Sequence, residues 1–166
     1  MLKYAADSNV YLCGHSAGAH LASCLIRSGW NEKFNVKVNN LKGFFLVSGV
    51  YDLQPILKTS VNDNLKMDIN EALSASPKLS SKTCFTEEEK NNVEILLDYG
   101  EHESNEFKKQ SVDFSLHLKN NLGFIRVNSN QIDSVDHFDI IENISNDAFI
   151  LTKVKNFTKF YFFILY

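Results

Sequence analysis

Apolar and polar positions along the chain follow two rhythms. Val10 to Cys13 is a short apolar run that stops at Gly14 and reads as a strand. From Ala17 to Arg27 the period lengthens. Leu21, Ala22, Leu25 and Ile26 fall on one stripe, which predicts a helix with a buried face, and Gly29 supplies its stop. Residues 41–50 (LKGFFLVSGV) hold a near-continuous apolar run, the pattern of a parallel strand covered on both faces. Residues 92–100 (NVEILLDYG) give the next strand. Residues 104–121 predict a helix with Phe107, Phe114 and Leu118 on one side and Ser104 as its cap. Residues 124–130 (FIRVNSN) give a further strand, and 140–144 (IIENI) begin another helix.

Between the second and third strands the pattern breaks. Residues 51–92 contain both prolines and many Ser, Asn and Lys, with room only for short helices at INEALSAS and TEEEKNN. This segment reads as an excursion over the sheet within one domain. The order strand-helix, strand-excursion, strand-helix, strand-helix predicts a three-layer α/β fold on a mostly parallel sheet with right-handed crossovers.

Composition changes this picture little. With 166 residues and 44% apolar positions, the chain can bury a core. A net charge of -3 offers no basic surface for nucleic acid or an anionic membrane. The apolar end FYFFILY is too short to span a bilayer, and no secretory leader is visible at the start. Cys13, Cys24 and Cys84 form no C-x-x-C pair and leave an odd count, which points to a reducing, cytoplasmic setting. In that setting the sequons at Asn143 and Asn156 read as chance matches. An assembly of identical chains stays open.

The chemistry gathers at Gly14-His15-Ser16-Ala17-Gly18, a G-x-S-x-G pattern between a predicted strand and a predicted helix. That is the context of a nucleophile elbow. Ser16 sits on a tight turn with its hydroxyl projecting from the sheet edge, and Gly14 and Gly18 avoid a collision with the neighbouring chain. The helix points its free N–H groups at the site, so the amide of Ala17 is a candidate oxyanion donor. A serine hydroxyl needs a base, and the base an orienting acid. In this fold they follow in the order Ser, Asp/Glu, His. His137 is the only histidine after the last predicted strand. His15 is expected to point away from the nucleophile, and His20 and His117 to sit on helices. For the acid, Asp98, Glu101 and Glu103 compete almost evenly, with a small lean to the two loop positions. Tyr51, just after the second strand, faces either the substrate or the underside of the excursion. No Cys/His cluster suggests zinc.

These stretches resemble the kynurenine formamidases (arylformamidases), a branch of the α/β-hydrolases related to the hormone-sensitive-lipase group. The resemblance lies in GHSAGAHLA (14–22), LVSGVYDLQPI (46–56), TSVN (59–62), EALSASPKL (71–79), GEHESNEFKKQS (100–111) and VDHFDIIEN (135–143). The first is shared by many esterases; SGVYDL-PI and DHFDIIEN are far more specific. The resemblance implies hydrolysis of N-formyl-L-kynurenine to L-kynurenine and formate, in tryptophan catabolism, without a cofactor. It implies Ser16 as nucleophile and His137 as general base. It aligns Glu103 with the family's acid, where aspartate is usual, so a side chain one methylene longer must fold back or its loop must shift.

The family also carries a His-Gly-Gly motif upstream of the elbow, and nothing before Val10 matches it. The resemblance therefore implies that residues 1–152 are the C-terminal part of an α/β-hydrolase domain, followed by a divergent tail, 153–166, with the N-terminal half of the sheet missing. The strand before the elbow is then expected at the sheet's edge. Each lost oxyanion donor costs about 100- to 1000-fold in rate, so a poorly soluble, nearly inactive chain is expected. The alternatives are a general carboxylesterase of the same fold and a noncatalytic remnant.

Overall fold

The computed structural model describes residues 9–27, 29–33, 38, 40–143 and, for the backbone alone, 161–165. Five strands, β1 (Val10–His15), β2 (Leu41–Val47), β3 (Glu94–Gly100), β4 (Arg126–Ile132) and β5 (Tyr161–Leu165), form one sheet in the order β4-β3-β2-β1-β5. Every pairing is parallel. Helices α1 (Ala17–Cys24), α2 (Trp30–Lys33), α3 (Val61–Leu65), α4 (Ile69–Ala75), α5 (Glu87–Asn92), α6 (Asn105–Asn120) and α7 (Asp139–Glu142) lie between the strands.

Alternation along β2 explains why its apolar run is unbroken. Phe44 and Leu46 face one side of the sheet, Phe45 and Val47 the other, and all four are buried. On the first side Phe44, Leu46, Ile95, Leu97 and Val127 meet Ala19, Ala22 and Ile26 near α1 and Phe114 and Leu118 from α6. Burying each large side chain contributes about 1.5–3 kcal/mol. On the second side Val47, Ile132 and Val135 hold Ile140 of α7. In the segment between β2 and β3, α4 and α5 each open with a reciprocal cap, Asp68 with Glu71 and Thr86 with Glu89. No helix among the described residues is long and apolar enough to cross a membrane.

The sequence reading is corrected at three elements. Helix α1 ends at Cys24, not Arg27, and its buried residues are Gly18, Ala19, Ala22 and Ser23, while Leu21 is 54% exposed. The helix lies so close to the sheet that small residues, not the leucine, face inward. Strand β4 starts two residues late, because the amides of Leu122 and Phe124 are still tied to carbonyls of α6 and Gly123 turns at φ 78°. Strand β1 is not at the edge: β5 pairs with it from Val10↔Tyr161 to Gly14↔Leu165. The segment after Asn143 expected to continue a helix lies outside the described residues.

Candidate active site

Ser16 caps α1 with φ 54° and ψ −116°, a conformation that non-glycine residues rarely adopt. Its amide donates to the carbonyl of Val47, 2.9 Å away, which ties the bend to the end of β2. The requirement for glycine at position 14 is visible directly. A Cβ there would lie 2.3 Å from the carbonyl oxygen of Gly18 and 2.6 Å from the amide nitrogen of Ala19. Gly18 is buried, Ser16 half-buried and Ala17 exposed.

Three strand ends converge on this corner. After β3, the acid loop and the loop carrying His137 are laced together. The amide of Glu101 donates to the carbonyl of Ile132 (2.9 Å), and that of His102 to the carbonyl of Val135 (3.0 Å). Gly100 permits the approach, since a Cβ there would lie 2.5 Å from the oxygen of Val135. The Glu101 carboxylate accepts from the amide of Ser134 (2.8 Å), where the turn reaches φ 60°.

This lacing separates the three acid candidates. Glu101 fastens the turn. Asp98 is buried and accepts from the side-chain amide of Asn130 at 2.8 Å. Burial pushes its carboxyl up, against the pull of that amide. Glu103 is the carboxylate that meets the imidazole, with Oε1 3.6 Å from Nδ1 of His137. That is an ion-pair distance, longer than a hydrogen bond. Oε1 also accepts from the Ser48 hydroxyl and, at 3.3 Å, from the Gly100 amide. Burial raises the Glu103 carboxyl, but the His137 imidazole, the Ser48 hydroxyl and the Gly100 amide outweigh it and hold the group below the usual carboxylate range.

The His137 ring is walled by His15 (centroids 4.7 Å apart), Phe107 of α6 (4.6 Å) and Phe138 (5.4 Å). His15 does not point away from the site, as its neighbourhood to Ser16 suggested. Its Nε2–H donates to the carbonyl of His137 at 2.8 Å, which fixes the tautomer. Burial lowers the His15 imidazole, with the carbonyl of His137 opposing it. The residue before Ser16 is thus bound to the loop of the histidine. Among the other histidines, His20 bonds through Nδ1 to the carbonyl of Val50 (2.9 Å) and His117 through Nε2 to that of Ser80 (2.9 Å).

Of the two placements the sequence left open for Tyr51, the structure gives it the one in the core. Its residue is fully buried, its ring stacks on Phe114 at 4.4 Å, and its amide donates to Oε1 of Gln110 at 2.7 Å. The apolar payload of the ring draws it under the excursion. Ser48, His15 and Phe107 are site residues that sequence reasoning missed. For Ser48 a signal existed: a serine beside a glycine at the end of a buried apolar strand. Among the described residues no group of three His, Cys, Asp or Glu is placed to hold a metal ion.

No protein-family model matches the chain. It is 39% identical over 159 residues to the kynurenine formamidase of Danio rerio and 40% identical over 159 residues to that of Salmo salar. These alignments cover 92% of this chain and 50% of each relative. The chain therefore spans about half the length of the curated relatives it matches. Among solved structures it is similar to a candidate thioesterase from Silicibacter sp. TM1040, with a TM-score of 0.71 and 23% identity over 89% of this chain and 50% of that one. Esterase 2 of Thermogutta terrifontis gives 0.51 and 15%, over 78% of this chain and 44% of that one. The fold is a partial α/β-hydrolase fold.

Proposed function

We propose that this chain, a homologue of the kynurenine formamidases along half their length, is a serine hydrolase that cleaves N-formyl-L-kynurenine into L-kynurenine and formate. The observation that carries the reading is the carboxylate of Glu103 at Nδ1 of His137, on a loop bound to the residue before Ser16. With Nδ1 turned to the acid, Nε2 is the nitrogen left to serve the nucleophile.

Nε2 of His137 takes the proton of the Ser16 hydroxyl as Oγ attacks the formyl carbon. The carbonyl electrons move to oxygen, and the Ala17 amide at the start of α1 stabilises that charge. His137 returns its proton to the aryl amine as the carbon–nitrogen bond breaks. Water then attacks the formyl-serine, again giving its proton to His137, and formate leaves as Oγ is reprotonated. Glu103 stays ionised throughout and stabilises the imidazolium. The chemistry needs no metal or organic cofactor, and we place it in the cytoplasm on a small-molecule substrate.

A general carboxylesterase is the second reading, favoured by the esterase among the structural relatives. A competition between N-formyl-L-kynurenine and p-nitrophenyl acetate separates the two. The formamidase reading expects the formyl amide to be consumed with the larger kcat/KM. Preferential turnover of the acetate overturns it in favour of the esterase. Failure of a fluorophosphonate to label Ser16 overturns both and leaves a noncatalytic remnant.

A further inference from the structure

We infer that Ser48 is a positioning residue that holds the long acid Glu103 folded back beside His137. The inference rests on the reading of Glu103 as the triad acid. Ser48 ends β2 with φ 51°, is fully buried, and has its amide donated to the carbonyl of Asp98 at 2.8 Å. A serine is retained where the backbone favours glycine or asparagine. Its hydroxyl donates to Oε1 of Glu103, the oxygen nearest the imidazole. The second oxygen, Oε2, is buried and has no hydrogen-bond partner among the described residues. A glutamate has one more rotatable bond than aspartate, and the carboxylate can leave the imidazole by turning it. The Ser48 hydroxyl, backed by the Gly100 amide at 3.3 Å, removes that freedom.

The ionisable groups around this carboxylate are His137 on its loop, His15 at the end of β1, Tyr51 after β2 and Asp98 at the end of β3, with Glu101 and His102 beside it in the chain. Among these groups His137 pairs with Glu103, and the Ser48 hydroxyl bonds to the same oxygen, so removal of the hydroxyl is felt by the carboxylate directly.

The test titrates the Glu103 carboxyl by carbon NMR in the full chain and, in the same samples, follows fluorophosphonate labelling of Ser16. Ser48→Gly removes the hydroxyl and relieves the positive φ. Ser48→Cys keeps the shape with a weaker donor. The expected result is a Glu103 midpoint about one unit higher in Ser48→Gly, with Ser48→Cys between. Labelling is expected to fall roughly ten- to a hundredfold. A purely structural serine would change the melting temperature and leave the midpoint where it was. An unmoved midpoint, or one that does not follow the donor order Ser, Cys, Gly, overturns the inference. Glu103→Gln keeps the two failures apart: if it slows labelling while Ser48→Gly does not, the positioning role falls and the acid assignment stands. If Glu103→Gln labels at the wild-type rate, the acid assignment itself falls.

Discussion

At the scale of single residues, the site depends on where a few polar groups are allowed to point. Ser16 and Ser48 both sit at positive φ, one at the end of β1 and one at the end of β2. Backbone strain of this kind persists only where surrounding structure fixes it, and it clusters at functional sites. For Glu103 the proposed role of triad acid is the one the family resemblance implies, although chemistry alone left it level with Asp98 and Glu101. What supports that proposal is the company of each carboxylate: Asn130 for Asp98, the Ser134 amide for Glu101, and the imidazole for Glu103. Glu103→Gln is expected to lower the rate of Ser16 labelling by about a thousand- to ten-thousandfold, because the imidazolium loses its counter-charge. The folded protein, checked by circular dichroism, remains. Asp98→Asn, by contrast, is expected to label within a few-fold of wild type.

At the scale of elements, close backbone approach organises the corner. Gly14 lets α1 turn against its own strand, and Gly100 lets the histidine loop settle on the end of β3. Gly100→Ala puts a Cβ against the backbone of Val135, which cannot give way as a flexible side chain would. We expect a loss of about 1–3 kcal/mol in urea unfolding and slower labelling of Ser16, since His137 follows two residues behind the displaced carbonyl. These elements were legible in the sequence to different degrees. β2 was clear, because a strand buried on both faces has an apolar run with no alternation. The elbow was clear, because its glycines answer a steric need local to five residues. The inward face of α1 was not, because a helix packed this close selects small side chains, and hydrophobic periodicity then points to the wrong residue, Leu21. β5 was not, because its place is set by pairing with β1, distant in the chain. Tyr51 was ambiguous because an aromatic ring suits a core and a binding wall equally. Ser48 and His15 escaped because their partners, Glu103 and His137, are 55 and 122 positions away.

At the scale of the whole molecule, ionisation ties stability to the same groups. Burial lowers the imidazoles of His15, His20 and His117, each bonded to a backbone carbonyl. The fold therefore binds fewer protons at these sites than the unfolded chain. Their contribution is present above the ordinary histidine value of 6.5 and is lost as the pH falls below it. Glu103, held below the usual carboxylate range, adds a second loss at still lower pH, as its folded-state value is passed. The melting temperature is expected to drop between about pH 7 and about pH 5, ahead of the carboxylates. A flat profile over that interval contradicts the burial of the three rings. The parallel sheet brings the ends of β1, β2 and β3 to one corner, and the proposed mechanism has a serine, an acid and a histidine separated by up to 121 positions act there on one bond. The most direct measurement is formate release from N-formyl-L-kynurenine by the wild-type chain and by Ser16→Ala. The account predicts one formate per kynurenine, however slowly, from the first and none from the second. Equal release by both, or none from either, contradicts it.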